Sequence, residues 1–197
     1  MLSFNLEKSE IKEVVYKTGK KKKMKDLKDY VRTIPNFPQE GIMFRDVTTV
    51  IGDADGLKLA VDTMQDLVKD LDFDVVAGAE SRGFIFGAPI AYNLHKPFVL
   101  IRKKGKLPSE TVSVDYDLEY GKATLEMHKD ALKKGQKVLI VDDLIATGGT
   151  TEAMIRLVEE CGGEVAGVLV LMELAGLEGR KKIANYRLDS AIVYEGK

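Results

Sequence analysis

The chain has 197 residues, of which 45% are hydrophobic, so it suits one domain with a substantial core and is not a disordered chain. Its formal net charge of −1 gives no overall field that would attract nucleic acid. No apolar run approaches the roughly 18–20 residues of a membrane helix, and the single cysteine, Cys161, permits no intrachain disulfide. We therefore expect a cytoplasmic protein that binds neither nucleic acid nor membranes.

Residues 1–23 differ from the rest of the chain. They have no clear hydrophobic period and end in four lysines, Lys20 to Lys23. This pattern predicts a solvated, flexible extension, followed by a single domain over residues 24–197. A patch for nucleic acid or membranes is the alternative, which four lysines support only weakly.

From residue 25 onward, helical and strand patterns alternate. Hydrophobic spacing predicts helices over residues 25–34, 55–70, 83–94, 150–161 and 177–184. Apolar runs predict strands over residues 46–51, 73–79, 98–101, 122–127, 137–141, 165–172 and 189–194. Residues 102–118 are predicted to be a long polar loop, of which 103–114 could form a mobile lid. The alternation predicts an α/β fold, with a mostly parallel sheet covered by helices on both faces and a ligand site beyond the C-terminal strand ends.

Residues 138–151, VLIVDDLIATGGTT, carry the strongest chemical signal. Gly148 and Gly149 allow positive φ and close backbone approach, so successive N–H groups can form an anion-binding nest at a helix N-terminus. The loop has no lysine and is therefore not a Walker A loop.

Asp142 and Asp143 stand directly before this loop. They would repel a phosphate but can accept hydrogen bonds from two vicinal hydroxyls. A phosphorylated ribose offers both features, whereas the alternative is a strand end with solvated carboxylates and a glycine-rich turn.

Residues 138–151 resemble the phosphoribosyl-pyrophosphate (PRPP) signature of type I phosphoribosyltransferases. Four further segments resemble the adenine-specific branch of that family: NFPQEGIMFRD at 36–46, ESRGF at 80–84, RKKGKLP at 102–108 and LEYGKATLE at 118–126. The similarity runs from about residue 24 to the end. It implies the family's Rossmann-like fold with a small N-terminal hood, a homodimer, and a purine-salvage reaction that makes AMP from adenine and PRPP.

The resemblance also implies roles for individual residues. Asp142 and Asp143 would orient the ribose hydroxyls, and Glu119 would be the general acid/base, with Tyr120 in support. The 5-phosphate would be held by Ala146, Thr147, Gly148, Gly149 and Thr150. A surface charge on a hairpin is the alternative for Glu119.

The remaining assignments concern pyrophosphate, metal and base. Pyrophosphate would be held by Arg82, with Ser81 in support at a non-proline cis peptide, and by Arg102, Lys103, Lys104 and Lys106, some acting across the dimer interface; a solvated basic loop is the alternative for residues 102–106. Adenine would be contacted by Phe44, Arg45 and Leu174, although Phe44 could equally belong to the core. Mg²⁺ would arrive on PRPP, coordinated mostly by water and substrate, so we predict no all-protein metal site.

Two other functions fit parts of this pattern. One is a PRPP-sensing regulator without catalysis, but such repressors carry an added DNA-binding domain for which 23 extra residues are too few. The other is a phosphoribosyltransferase for another purine, such as xanthine. The 6-oxopurine enzymes favour an acid within the PRPP loop, where this chain has Ala146, so the residue favours adenine.

Overall fold

The computed structural model describes residues 13–15, 21–23, 25–118 and 121–196. Two short strands, β1 (Glu13–Val15) and β2 (Lys21–Lys23), pair antiparallel. Most of the predicted flexible extension lies outside the described residues, so its flexibility stays a prediction.

A β-hairpin corresponds to the predicted hood. It consists of β3 (Arg32–Pro35) and β4 (Met43–Asp46) and follows a 3₁₀ turn at Leu27–Tyr30. The helix predicted over residues 25–34 is therefore wrong, because pairing with the distant β4 overrides the local helical spacing.

The strand predicted over residues 46–51 is also wrong. The Asp46 carboxylate accepts hydrogen bonds from the N–H and the hydroxyl of Thr48, and a helical turn, α1 (Thr48–Ile51), begins there. These hydrogen bonds, together with that of Arg32, hold the pKa of Asp46 at about 2. A short polar side chain that accepts from the first helical N–H group thus favours a helical turn over a strand here.

Seven strands form the central sheet, in the order β11-β10-β9-β5-β6-β8-β7. The pairs from β11 to β6 are parallel, and β8 and β7 are added antiparallel at one edge. The strands are β5 (Val75–Ala79), β6 (Phe98–Lys103), β7 (Thr111–Leu118), β8 (Gly121–His128), β9 (Lys137–Ile145), β10 (Glu164–Leu174) and β11 (Leu188–Tyr194). The main helices are α2 (Ala54–Leu67), α3 (Arg82–Asn93), α4 (Gly149–Glu160) and α5 (Gly179–Lys182).

Both faces of this sheet are buried, as predicted. Leu139 of β9 belongs to a core with Phe86 of α3, whereas the next residue, Ile140, belongs to a second core with Met154 of α4. Because successive strand side chains point to opposite faces, β9 has an apolar sequence without alternation. None of the helices in the described ranges is long and apolar enough to cross a membrane.

The long loop predicted over residues 102–118 is wrong in its second half. Residues Thr111–Leu118 form β7, paired antiparallel with β8, so only residues 104–110 connect β6 to β7. Val114 is buried, and Val112 and Tyr116 pack against the same core. This alternation with Ser113 and Asp115 is the strand signal that the polar composition concealed.

The strand order creates a crevice at one end of the sheet. From β5 the chain passes through α3 to β6 on one side, whereas β9, β10 and β11 extend the sheet on the other side. The connections that follow β5 and β9 therefore diverge at their C-terminal ends. In open α/β sheets this divergence leaves room for a ligand.

Candidate functional site

A cavity of about 260 Å³ lies at the C-terminal ends of β5 and β9. Nine of the residues predicted from the sequence line it: Arg82, Lys103, Asp142, Asp143, Ala146, Thr147, Gly148, Gly149 and Thr150. The other lining residues are Ala79, Glu80, Tyr116, Leu125, Leu144 and Thr151. The fold thus unites segments that are up to about 70 positions apart in sequence.

The loop at residues 146–150 is the first wall of the cavity. Gly148 takes a left-handed conformation with φ 82° and precedes α4, whose first turn begins at Gly149. The first N–H groups of a helix have no intrahelical acceptors and carry partial positive charge. This wall therefore offers backbone donors and the Thr150 and Thr151 side chains to an anion, without any cationic side chain of its own.

Two buried carboxylates follow the apolar part of β9. Asp142 and Asp143 lie within the strand, which continues to Ile145, so the predicted break of the strand at these residues is wrong. Asp142 Oδ1 accepts a hydrogen bond of 2.8 Å from the Asp143 N–H. Asp143 Oδ2 lies 3.0 Å from Arg82 Nε but makes no hydrogen bond with a donor of the described residues. It is a buried acceptor available to a hydroxyl donor.

Burial sets the protonation of this pair. Burial raises the pKa of Asp142 well above its usual range, and the neighbouring Asp143 charge raises it further. Burial also raises the pKa of Asp143, against the opposing effect of the Arg82 guanidinium. Two adjacent buried carboxylates resist ionising together, because their negative charges repel. A ligand that supplies hydrogen-bond donors or positive charge therefore stabilises their ionised forms.

The second wall is basic and comes from two other segments. Arg82 begins α3 directly after β5, in a turn whose Glu80–Ser81 peptide bond is cis, as the family resemblance implied. Lys103 ends β6, the neighbouring strand, and also lines the cavity. Ser81 adjoins this wall without lining the cavity. The two cations therefore line one cavity together with the carboxylates and the loop at residues 146–150, which we call the phosphate-type loop.

The other predicted cations do not line the cavity. Arg102 donates from Nε to Glu80 Oε2 at 2.6 Å and from Nη1 to the Lys106 carbonyl at 3.1 Å. It thereby ties the turn after β5 to the basic connection. Lys104 and Lys106 are exposed.

The predicted adenine residues lie in and opposite the hood, outside the cavity lining. The Arg45 guanidinium stacks 4.1 Å above the ring of Tyr194, which pairs in register with Leu174 at the ends of β11 and β10. Phe44 is half-buried, and its ring meets that of Phe37 edge to face at 5.1 Å. Arg45 and Leu174 thus share one neighbour, whereas Phe44 belongs to an aromatic pair within the hairpin.

Two predicted residues cannot be located. Glu119 and Tyr120 lie outside the described residues, between β7 and β8. Conversely, Tyr116 and Glu80 line the cavity although the sequence did not single them out. Tyr116 follows from the β7 alternation, and Glu80 follows from its position at the end of β5.

Within the described residues, no group of three or more histidine, cysteine, aspartate or glutamate side chains could hold a metal ion. The carboxylates that line the cavity belong to Glu80, Asp142 and Asp143, and those of Asp142 and Asp143, which are not held by Arg102 as Glu80 is, suit Mg²⁺ or its water ligands. The residues fit a metal ion that a phosphorylated substrate brings with it.

Comparison with known proteins places the chain in a family. The profile of the phosphoribosyl transferase domain matches residues 54–196. An adenine phosphoribosyltransferase of Agathobacter rectalis is 68% identical over 174 residues, which are 88% of this chain and all of that protein. One of Lachnoclostridium phytofermentans is 62% identical over the same shares of the two chains.

Solved structures give the same result. The adenine phosphoribosyltransferase of Thermoanaerobacter pseudethanolicus has a TM-score of 0.82 at 48% identity and covers 85% of this chain and 98% of its own. The Saccharomyces cerevisiae protein, solved with adenine and an imino-altritol bisphosphate, has a TM-score of 0.78 at 37% identity. It covers 83% of this chain and 95% of its own. The chain belongs to the phosphoribosyltransferase family and, within it, to the adenine phosphoribosyltransferases.

Proposed function

We propose that this protein transfers the 5-phosphoribosyl group of PRPP to adenine, giving AMP and pyrophosphate. The observation that carries the proposal is the single cavity that joins Asp142 and Asp143, the loop at residues 146–150, and the cations Arg82 and Lys103. A ribose with phosphate groups at both ends is a ligand that uses all three features. The relatives named adenine phosphoribosyltransferase support adenine as the acceptor.

The two walls would divide the substrate between them. The loop at residues 146–150 would bind the 5-phosphate through its backbone donors, while Asp142 and Asp143 would accept hydrogen bonds from the ribose hydroxyls. Arg82 and Lys103 would bind the pyrophosphate. The carboxylates also stand near the positive charge that develops on the ribose as the bond to the leaving group breaks.

In the transfer, the bond between ribose C1 and the pyrophosphate oxygen breaks, and pyrophosphate leaves with its electron pair. Adenine N9 forms the new bond to C1, and its proton passes to a base. We assign this role to Glu119, with Tyr120 in support. Phe44, Arg45 and Leu174 are proposed to contact the base, since the hood lies over the strand ends that carry Leu174 and Tyr194.

Mg²⁺ is proposed to enter on PRPP and to neutralise charge on the pyrophosphate when bound. Asp142 and Asp143 are the residues whose oxygens could meet its water ligands. Arg102 would act by holding Glu80 and the basic connection in place. Removal of Mg²⁺ with a chelator should abolish turnover, and restored Mg²⁺ should recover it.

A cytoplasmic homodimer is the proposed state of the protein. Tyr92 is 86% exposed and Leu100 is 40% exposed, and apolar side chains of this kind are suited to a protein interface. Lys104 and Lys106, which do not line the cavity of their own chain, would then be available to a partner's pocket. Light scattering during size-exclusion chromatography should give about twice the mass of one chain.

The test of the function is to incubate the protein with PRPP, Mg²⁺ and each purine in turn, and to identify the nucleotide by mass spectrometry. We expect AMP from adenine and far less nucleotide from hypoxanthine, guanine or xanthine. A preference for xanthine would replace the proposed acceptor. PRPP binding without product from any base would favour a regulator.

A further inference from the structure

The phosphate-type loop, residues 146–150, packs against α5. The cavity lining does not include α5. A Cβ atom added to Gly179 would clash with the Ala146 carbonyl oxygen and would lie 2.9 Å from the Gly148 nitrogen. A Cβ atom added to Gly148 would lie 2.8 Å from the Gly179 carbonyl oxygen. The loop and α5 are therefore in backbone contact, and the position of Gly179 limits where the loop can lie.

The residue after Gly179 fixes α5 to the sheet. Arg180 donates from Nε to Glu173 Oε1 at 2.9 Å and from Nη2 to Glu173 Oε2 at 2.6 Å. Its third nitrogen, Nη1, donates to the Leu188 carbonyl at 2.9 Å. One guanidinium thus connects α5 with β10 and β11 through a bidentate pair and a backbone contact.

The acceptor of this pair is held firmly. The Glu173 side chain is only 6% exposed, and Oε2 also accepts a hydrogen bond of 2.6 Å from the Ser190 hydroxyl. The hydrogen bond from Arg180 holds the pKa of Glu173 below its usual range, so the carboxylate is ionised at neutral pH. A buried carboxylate with matched donors gives a rigid anchor, because moving Arg180 would leave its charge unpaired.

A second connection between α5 and the loop region is weaker. Lys182 Nζ lies 3.1 Å from Glu152 Oε2 in the first turn of α4, but both side chains are more than 40% exposed. Exposed pairs of this kind contribute about 0–1 kcal/mol. Arg180 is therefore the main constraint on α5.

We propose that Arg180 is a positioning residue for binding of the 5-phosphate, acting through Gly179 on the loop at residues 146–150. This inference rests on the proposed function, because it takes that loop as the phosphate site. Arg180 does not line the cavity, so it would influence phosphate affinity without touching the ligand.

The chain offers a matched control in Arg187. Its Nη1 and Nη2 donate to the Asp70 carboxylate at 2.8 and 2.9 Å, and its Nε donates to Asp189 at 2.6 Å. Arg187 thus also makes a bidentate pair, but its partner Asp70 is more exposed than Glu173, and the pair joins the residue before β11 to the turn after α2. Lysine cannot reproduce either fork, so R180K and R187K remove the same chemistry at two places.

The experiment compares wild type, R180K and R187K by calorimetric titration with AMP, by the KM values for PRPP and adenine, and by melting temperature. Both variants should melt below wild type. R180K should weaken AMP binding and raise the KM for PRPP by about tenfold, which corresponds to about 1.4 kcal/mol, with a much smaller change in the KM for adenine. R187K should stay within about twofold of wild type in both phosphate-dependent quantities.

Wild-type AMP affinity in R180K would overturn the inference, and so would an equal loss of AMP affinity in R180K and R187K. If R180K does not fold, E173Q carries the same test, because it keeps the shape of the anchor and weakens the fork. Wild-type turnover separates the two proposals: absence of AMP production by wild type would refute the function, whereas active wild type with an unaffected R180K would refute only the positioning role.

Discussion

The two walls of the cavity are built in different ways. The phosphate-type wall is one continuous segment, from β9 through the loop at residues 146–150 into α4, and it offers backbone N–H groups. The basic wall joins Arg82 after β5 to Lys103 at the end of β6, and it offers side-chain charge. Glycines and helix geometry therefore determine the first wall, whereas the second depends on long-range strand pairing.

The difference suits the two groups that are proposed to bind there. A 5-phosphate stays on the product, so a rigid backbone site can hold it throughout the reaction. Pyrophosphate must be stabilised as it leaves and then released, which suits long cationic side chains at the start of α3 and the end of β6. Substitutions at Glu119 and in each wall test this division.

The largest effect is expected for Glu119, which lies outside the described residues. If the walls only hold the substrate, the proton of the purine requires a separate base, and Glu119→Gln should lower kcat by about 10²–10⁴-fold with little change in AMP affinity. Steady-state kinetics and calorimetry check this. Glu110→Gln is the control, since Glu110 is an exposed glutamate nine positions earlier in the sequence. Wild-type turnover by E119Q would remove Glu119 from the mechanism.

Arg82→Met tests the basic wall. It removes a cation from the cavity and leaves the buried Asp143 carboxylate without its nearby positive charge. We expect kcat/KM for PRPP to fall by about 10²–10³-fold, the range for losing a preorganised group that stabilises developing charge. Inhibition by pyrophosphate should weaken in parallel.

Lys133→Met is the matched control for Arg82→Met, because Lys133 is exposed, does not line the cavity and has no proposed role in binding. It should change kcat/KM much less. A loss in K133M as large as that in R82M would contradict a specific role of Arg82 in the basic wall.

Asp142→Asn tests the carboxylates of β9. Losing a carboxylate acceptor for the ribose hydroxyls should lower kcat/KM for PRPP by about ten- to a hundredfold, equivalent to about 1.5–3 kcal/mol. The variant should nevertheless melt at a higher temperature than wild type at neutral pH, since the amide removes the free-energy penalty of burying an ionisable carboxyl group.

The pH dependence of this melting advantage follows from the raised pKa of Asp142 in the folded state. Its contribution to stability is greatest when it is protonated and is lost as the pH rises through that pKa. The melting advantage of D142N should therefore shrink as the pH is lowered, which thermal scans across pH can measure. An advantage that grows toward acid would contradict the burial argument.

Gly148→Ala tests the loop at residues 146–150, and Gly105→Ala is its control at matched backbone geometry. Both glycines have φ near +80°, but a Cβ at Gly148 would meet the Gly179 backbone, whereas one at Gly105 would meet nothing within 4 Å. Both variants should lose roughly 1–2 kcal/mol of unfolding free energy to the left-handed backbone. Only G148A should lose further unfolding free energy and also bind AMP more weakly, by about tenfold or more. Equal AMP affinity in the two variants would refute a rigid loop.

The sequence revealed the phosphate-type wall because its chemistry is local. Residues 142–150 carry their own glycines, threonines and carboxylates in order, and the parallel sheet follows from apolar runs such as that of β9. Tyr116 was missed because β7 has a polar composition and is a strand only through pairing with β8. The helix predicted over residues 25–34 was wrong for the same reason, since part of this segment is β3, which forms by pairing with β4.

A crystal structure of the protein with AMP tests the division of the cavity most directly. We expect the 5-phosphate oxygens to lie within about 2.7–3.2 Å of backbone nitrogens in residues 147–151, with the ribose hydroxyls on Asp142 and Asp143. Arg82 and Lys103 should face the side of the ribose from which pyrophosphate has left. A 5-phosphate bound to Arg82 and Lys103, with the loop unoccupied, would refute this division of the cavity.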